Sequence, residues 1–422
     1  MKTICFPVAV AALAAAMPLS AQVRSLDWAQ LKARFEAANP QLKADALAVE
    51  ELKASETTAS LRPNPQLSVG TDGNQLASHD GIWQPLTGSS LQTQFSYLHE
   101  RDHKRELRQK SAQQATAIGS SEHQDLERNL LFNLRTLYVA ALEAQQLVKL
   151  SEDDIAYYDH IIAISRERLK SGDLAQIDLD RIELLRVQYE SEFEQARVNL
   201  RTTKIQILQL LDEHTPVDQF NITGPYDFAE QLMPLDAVRQ TAIDNRPDLR
   251  AALLSLDQAD TNHKLAVANG STDPTFAGWY TWNSSNNNPN ALQTLGLSVS
   301  VPLRIFDRNQ GEKQRTAIDL DRNRQMIEAT RAQVFSDVDT AYAQVVSNVA
   351  LLKPYKAQYN VQSTRVRDTV TYSYQHGGAS LMDFLNAQSS YRQTQLAYVQ
   401  LVGAYLAAAG QLNLAAGSEV LP

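Results

Sequence analysis

Leu169-Lys170-Ser171-Gly172-Asp173-Leu174-Ala175-Gln176-Ile177-Asp178-Leu179 and Tyr374-Gln375-His376-Gly377-Gly378-Ala379-Ser380-Leu381-Met382-Asp383-Phe384-Leu385 read as two copies of one turn. Gly172 aligns with Gly377 and Asp178 with Asp383, both at an offset of 205 residues. A long helical pattern precedes and follows each copy. The match runs on: Asn39-Pro40-Gln41-Leu42 pairs with Arg246-Pro247-Asp248-Leu249, and Leu91-Gln92-Thr93 with Leu292-Gln293-Thr294. The chain is therefore an internal duplication, with residues 22–220 as the first repeat and 221–422 as the second. Each repeat is helix, two short strands, very long helix, tight turn, long helix. A period of about 200 residues is far longer than that of small-repeat solenoids. The segment Thr215–Pro234, with three prolines and Gly224, reads as the link between the halves.

The long helices carry a coiled-coil pattern. Leu130, Leu134, Leu137, Ala141, Ala144 and Val148 alternate spacings of four and three, as do Val334, Val338, Ala341, Val345, Asn348 and Leu352. Sustained 4-3 spacing is the seam of a coiled coil rather than the broad stripe of a globular helix. Lys104 to Lys170 holds no proline and one glycine, Gly119. At ~1.5 Å per residue such a helix is a rod on the order of 100 Å. The matching rod, about Arg308 to Gln375, contains Pro354, where a bend is expected because proline removes a helical hydrogen bond.

Between the helices lie four alternating stretches, about 66–72, 90–99, 275–283 and 292–302. Leu91, Thr93, Phe95 and Tyr97 alternate with Gln92, Gln94 and Ser96; Leu295, Leu297 and Val299 alternate with Gly296 and Ser298. Their lengths approach the ~9–11 residues of a tilted transmembrane strand. The aromatic stretch, with Phe276, Trp279, Tyr280 and Trp282, sits beside a loop rich in Asn and Ser, as an interfacial girdle would. Four strands cannot close a barrel, since about eight is the working minimum. Open edges in lipid leave backbone groups without partners. Spanning strands therefore imply several chains in one barrel, and three chains give an even twelve.

Of the 422 residues, 48 are acidic and 39 basic, a formal net charge of −9 with no basic patch, which argues against nucleic acid as a partner. Mean hydropathy is −0.34, and no stretch after residue 21 is expected to reach the ~20 apolar residues of a spanning helix. Lys2, the apolar run Ile4–Ala16 and Met17-Pro18-Leu19-Ser20-Ala21 read as a secretory signal peptide over residues 1–21. The only cysteine, Cys5, falls inside it, so the mature chain is expected to have no disulfide and no thiolate metal site.

A duplicated, secreted chain with two strand pairs and four long helices resembles the TolC-like outer-membrane efflux family over essentially its whole mature length. Val301-Pro302-Leu303-Arg304-Ile305-Phe306-Asp307-Arg308-Asn309-Gln310-Gly311 and the paired turns carry the resemblance. The Phe306–Gly311 run is similar to the CzcC-like heavy-metal branch, and His103-Lys104-Arg105 stands where that branch often has Gly-Lys-Arg. The Arg304-Ile305 insertion departs slightly from the branch pattern.

The resemblance implies an α+β membrane protein. Its long coiled-coil helices would form a periplasmic α-barrel, and four transmembrane β-strands per chain would enter a shared 12-stranded trimeric β-barrel. The protein would be a homotrimer in outer-membrane lipid, with a large periplasmic portion. Its partners would be a periplasmic adaptor (membrane fusion) protein and an inner-membrane pump of the resistance-nodulation-division class. It would passively conduct metal ions or small toxic solutes. The alternatives are a conduit for protein or peptide secretion and a soluble periplasmic coiled-coil adaptor.

The resemblance also points to individual residues. By it Asp178, Tyr374 and Asp383 help hold the tunnel closed, and Gly172, Gly377 and Gly378 form the periplasmic tip turns. Threefold symmetry would set each acid in a ring that attracts cations and raises the pKa of its members. The plainer account makes Asp178 and Asp383 first-turn helix residues favoured by the dipole. Ala379 stands where some relatives carry a gating Arg, which puts that ionic lock in doubt.

His99-Glu100-Arg101-Asp102-His103 matches the zinc-protease pattern H-E-x-x-H, with Glu122 beyond it. Its neighbours Lys104, Arg105, Glu106 and Arg108 are a solvated charged stretch, so no enzyme activity is expected. Histidines are scattered and Met233, Met326 and Met382 are the only methionines after residue 21, so no metal-ligand cluster and no cofactor are expected.

Overall fold

The computed structural model describes residues 24–421 except 79, 84, 87 and 284–290. The expected signal peptide, Cys5 and most of the loop after Asn283 lie outside the described residues. In chain order come β1 (Arg24–Leu26), α1 (Trp28–Ala38), α2 (Pro40–Ser60), β2 (Gln66–Asp72), β3 (Ser90–Leu98), α3 (Lys104–Ser171) and α4 (Gln176–Leu210). Next come β4 (Phe220–Ile222), α5 (Leu235–Asn245), α6 (Pro247–Ala268), β5 (Thr275–Asn283), β6 (Gln293–Ser300), α7 (Gln310–Pro354), α8 (Asn360–Gln375) and α9 (Leu381–Ala416).

Local chemistry sets the ends. Asp27 caps α1 in a capping box: its carboxylate accepts the Gln30 N–H at 2.8 Å, and the Gln30 side chain accepts the Asp27 N–H. Pro40 and Pro247 open α2 and α6, where the missing N–H costs nothing.

The four alternating stretches form one antiparallel sheet in the order β2-β3-β5-β6. The register sorts the side chains by face. Rows such as Leu67–Phe95–Gly278–Leu297 and Val69–Thr93–Tyr280–Leu295 fall on one side. Rows such as Gln66–Ser96–Ala277–Ser298 and Ser68–Gln94–Trp279–Gly296 fall on the other. One face is therefore apolar and water-exposed in the single chain, with Leu67, Leu295 and Leu297 each more than two-thirds exposed. The other face is mainly polar, with Leu98, Ala277 and Trp279 as its apolar side chains. Trp279 covers Gly296, where a Cβ would come within 2.3 Å of the indole. β2 and β6 are open edges.

The chain divides into two compact units, each drawing on both halves of the sequence, and the four-stranded sheet belongs to the second. One contains Leu134–Phe228 and Leu351–Leu406 with the residues through Asn39. In it β1 pairs parallel with β4, and Tyr138 donates to the Thr223 carbonyl at 2.8 Å while its ring meets Trp28 at 5.5 Å. The other contains Pro40–Asn133, Ala229–Ala350 and the C-terminal residues from Ala407. There buried Arg246 bridges Asp248 at 2.6 Å and Asp337 at 2.8 Å, and buried Lys104 binds Asp273 at 2.6 Å.

The two long rods differ at one place. Thr136-Leu137-Tyr138 matches Thr340-Ala341-Tyr342, an offset of 204, and the buried pairs Leu130/Val334, Leu134/Val338 and Ala141/Val345 keep it. Beyond Pro354 the offset is 205, as at Gly172/Gly377. The extra residue falls where α7 ends at Pro354 and a π-turn, Tyr355–Tyr359, precedes α8. A π-turn holds one more residue than an α-turn, so it absorbs an insertion without rotating the helix beyond it. α3 runs unbroken for 68 residues.

The expectation of no sufficiently apolar helix fails for α9. By length and composition it is apolar enough to cross a membrane, but 56% of its most apolar stretch is buried. Ala408, Ala409, Leu412, Ala415 and Ala416 are core residues, so the apolar run serves protein packing.

Candidate functional site

The two turns close by the same hydrogen bonds. At the first, the Asp173 N–H donates to the Arg168 carbonyl at 2.8 Å and the Gly172 N–H to the Leu169 carbonyl at 3.1 Å. At the second, Gly378 donates to Ser373 at 2.8 Å and Gly377 to Tyr374 at 3.2 Å. This is a Schellman motif at both turns, and it needs a left-handed residue at the first glycine. Gly172 has φ +82° and Gly377 φ +78°. Gly378 is not left-handed and lies against the Ser373 side chain.

The helices that leave the turns begin differently. Ser380 caps α9 in a reciprocal box: its Oγ accepts the Asp383 N–H at 3.1 Å, and the Asp383 carboxylate accepts the Ser380 N–H at 3.2 Å and hydroxyl at 2.7 Å. These bonds hold the exposed Asp383 carboxyl below its usual range. Ala175 occupies the matching position before α4 and makes no side-chain cap. Asp178 instead stands 3.7 Å from Arg181 and is 29% exposed.

Tyr374 is 5% exposed and stacks on Phe384 at 4.8 Å. Burial pushes its hydroxyl pKa up, while the nearby Arg168 pulls it down and the Asp178 charge adds to the rise. That hydroxyl makes no well-formed hydrogen bond among the described residues, and the buried Ser165 hydroxyl is the group facing it. Asp178 and Tyr374 thus come within electrostatic reach of each other, whereas Asp383 is occupied within its own turn.

Sequence reasoning missed Arg168. Its Nη1 donates to the Tyr374 carbonyl at 3.2 Å, and its guanidinium lies 5.1 Å from the Tyr374 ring centroid. Further along the same helices, Tyr157 meets Thr371 at 3.0 Å and Gln388 bonds both. Arg392 on α9 then binds Asp154 of α3 and Glu192 of α4, over the Tyr189 ring at 4.4 Å. Burial pushes the Asp154 carboxyl up to about 6 despite Arg392, with the Glu192 charge adding to the rise. Both hairpins are therefore joined by three polar layers set in an aromatic core of Tyr158, Tyr189, Tyr374 and Phe384.

The H-E-x-x-H residues do not share a helix. His99 lies past the end of β3, while Asp102 and His103 have left-handed backbone with φ +54° and +56°. Glu100 is bound by Arg108, and the His103 side chain is 87% exposed. Among the described residues no group of three or more His, Cys, Asp or Glu could hold a metal ion.

Residues 238–418 match the family model described as outer membrane efflux protein. The toxin and drug export protein A of Aggregatibacter actinomycetemcomitans is 22% identical over 349 residues, covering 81% of this chain and 73% of that protein. The cobalt-zinc-cadmium resistance protein CzcC of Cupriavidus metallidurans is 20% identical over 375 residues, covering 86% and 84%. The crystal structure of CusC superposes with a TM-score of 0.78 at 17% identity, covering 97% of this chain and 99% of that one.

Proposed function

We propose that this chain, which belongs to the TolC-like outer-membrane efflux family, is the outer-membrane channel of a tripartite efflux system. It acts as a passive conduit through the outer membrane, with a large helical part in the periplasm. The two-faced, open-edged sheet is the observation that carries this reading. An apolar face over four neighbouring strands suits lipid, and a polar face suits a water-filled lumen.

Unpaired edges at β2 and β6 favour closure by further copies. Strand direction alternates along the sheet, so β6 of one copy can pair antiparallel with β2 of the next. Three copies give twelve strands. The helices offer a matching cue: Ile177, Leu184, Val198 and Ile205 on α4 are each more than half exposed and fall on one heptad line, with Ser191 at its middle position. Such a seam suits a helix of a neighbouring copy. A periplasmic adaptor and an inner-membrane pump would supply docking and energy.

Metal ions are the favoured cargo, on the CzcC likeness and the Phe306–Gly311 run. The toxin-export relative keeps a conduit for peptides as a second reading. Purified protein in planar bilayers tests the channel: discrete conductance steps are expected. A protein that stays soluble without detergent and conducts nothing would refute the reading and favour a coiled-coil adaptor. Block of the current by added peptides, with none by divalent metal, would favour the second cargo.

A further inference from the structure

Arg168 serves both turns at once. Its backbone carbonyl accepts the Asp173 N–H that closes the first turn. Its guanidinium reaches across 206 residues of sequence to the Tyr374 carbonyl, which also accepts the Gly377 N–H closing the second turn. A second guanidinium nitrogen, Nη2, lies 3.5 Å from the Asp173 carbonyl. Carbonyls at a helix C-terminus carry the negative end of the helix dipole, so a cation there is favoured. The planar guanidinium can donate to two carbonyls while resting against an aromatic ring. That ring is itself fixed, since Tyr374 is buried and stacked on Phe384 of α9. One side chain of α3 thereby engages α8 directly and α9 through Tyr374.

The neighbouring cations act within their own hairpin. Arg166 binds Glu183 at 2.8 Å, and Arg181 stands by Asp178. The other links between hairpins, at Tyr157 and Arg392, lie further from the glycines. Among the hydrogen bonds and ion pairs that join the hairpins, that of Arg168 lies nearest the turns among the described residues.

We propose that Arg168 is the tie that holds the two turns together and so sets how readily the tunnel mouth opens. The proposal rests on the channel reading. A mouth lined by both hairpins opens only when their turns move apart, and that motion must break the Arg168–Tyr374 contact. Arg168 acts here as a positioning residue, through Tyr374, and touches no solute.

The test compares wild type with Arg168→Ala, Arg168→Lys and Arg166→Ala in planar bilayers, with amide exchange measured on the same proteins. Arg168→Ala is expected to raise single-channel conductance at least twofold. It should speed exchange of the Gly377 and Gly378 amides about tenfold, as a lost charge-assisted hydrogen bond would. Lysine keeps a donor but loses the planar fork, so it should fall between, and Arg166→Ala should match wild type. In a Tyr374→Leu background, Arg168→Ala should add little to conductance. A conducting wild type with unchanged conductance and exchange in Arg168→Ala overturns the tie and leaves the channel standing. A wild type that never conducts overturns the channel and the tie's gating role together. Exchange that speeds without any conductance change reduces Arg168 to a purely structural contact and overturns the proposal.

Discussion

Deleting one residue from a long helix should be ruinous in α3 and nearly harmless at the π-turn between α7 and α8. Removing a residue from a regular helix rotates everything beyond it by about 100° and shifts it ~1.5 Å. Deletion of Lys149 would therefore turn Tyr158, Ile161 and Ile162, all at most 6% exposed, away from their core. At roughly 1.5–3 kcal/mol for each buried side chain, the cost is about 5 kcal/mol or more, comparable with the whole stability of a domain. Deletion of Ala357 removes an exposed residue from the π-turn. The remaining residues can close an ordinary α-turn, and Tyr374 and Phe384 keep their register. The losses are confined to the turn itself, where Tyr355 meets Tyr359 at 5.3 Å and Lys356 stands 3.6 Å from Asp227. Those contacts are worth about 1 kcal/mol together. Thermal melts of both deletants should show the Ala357 deletant within about 5 °C of wild type and the Lys149 deletant without a cooperative transition. Equal damage from both deletions would refute the account of the one-residue offset.

The same geometry carries three further outcomes. Asp154, with its folded pKa raised from 3.8 to about 6, binds its proton more tightly in the folded chain than in the unfolded one. Stability from this group is therefore full at low pH and falls as pH rises from about 4 to about 6, by roughly 3 kcal/mol at most. Asp154→Asn should remove that slope, and melts of the two proteins at pH 4, 5, 6 and 7 that run parallel would count against it. Ser380→Ala should cost about 1 kcal/mol through loss of the capping box, whereas Ala175→Ser should gain up to about the same, both read by denaturant unfolding. Gly377→Ala should cost about 1–2 kcal/mol from its left-handed backbone alone, since a Cβ there meets open space. An unchanged midpoint in that variant would mean the turn relaxes to another conformation.

Much of this architecture was legible in the residues. Alternation at Leu91–Tyr97 and Leu295–Val299 marks strands because side chains of a strand point to opposite faces. Gly172 and Gly377 mark the turns because few other residues accept positive φ. The inequality of Asp178 and Asp383 was also in the sequence, as Ser380-x-x-Asp383 against Ala175-x-x-Asp178, the pattern of a capping box present and absent.

Contacts across the duplication were not legible. Arg168 and Tyr374 meet over 206 residues, and Arg392 meets Asp154 over 238. No local periodicity encodes such distances. The H-E-x-x-H pattern misleads because a linear motif presumes a helix, and left-handed backbone at Asp102 and His103 breaks it. α9 meets the length and composition of a membrane span because an alanine-rich core helix and a span share composition. The π-turn needed two registers laid side by side, 204 before Pro354 and 205 after.

The central claim is that the sheet closes a barrel with two further copies of the chain. Cysteine scanning across its open edges tests this most directly. Cysteines are placed in pairs, one along Gln66–Asp72 of β2 and one along Gln293–Ser300 of β6, and oxidised in intact outer membranes. The only native cysteine is Cys5, in the expected leader. The account predicts that some pairs give an interchain ladder that ends at a covalent trimer. A ladder that continues past three, or no interchain product from any pair, would contradict it.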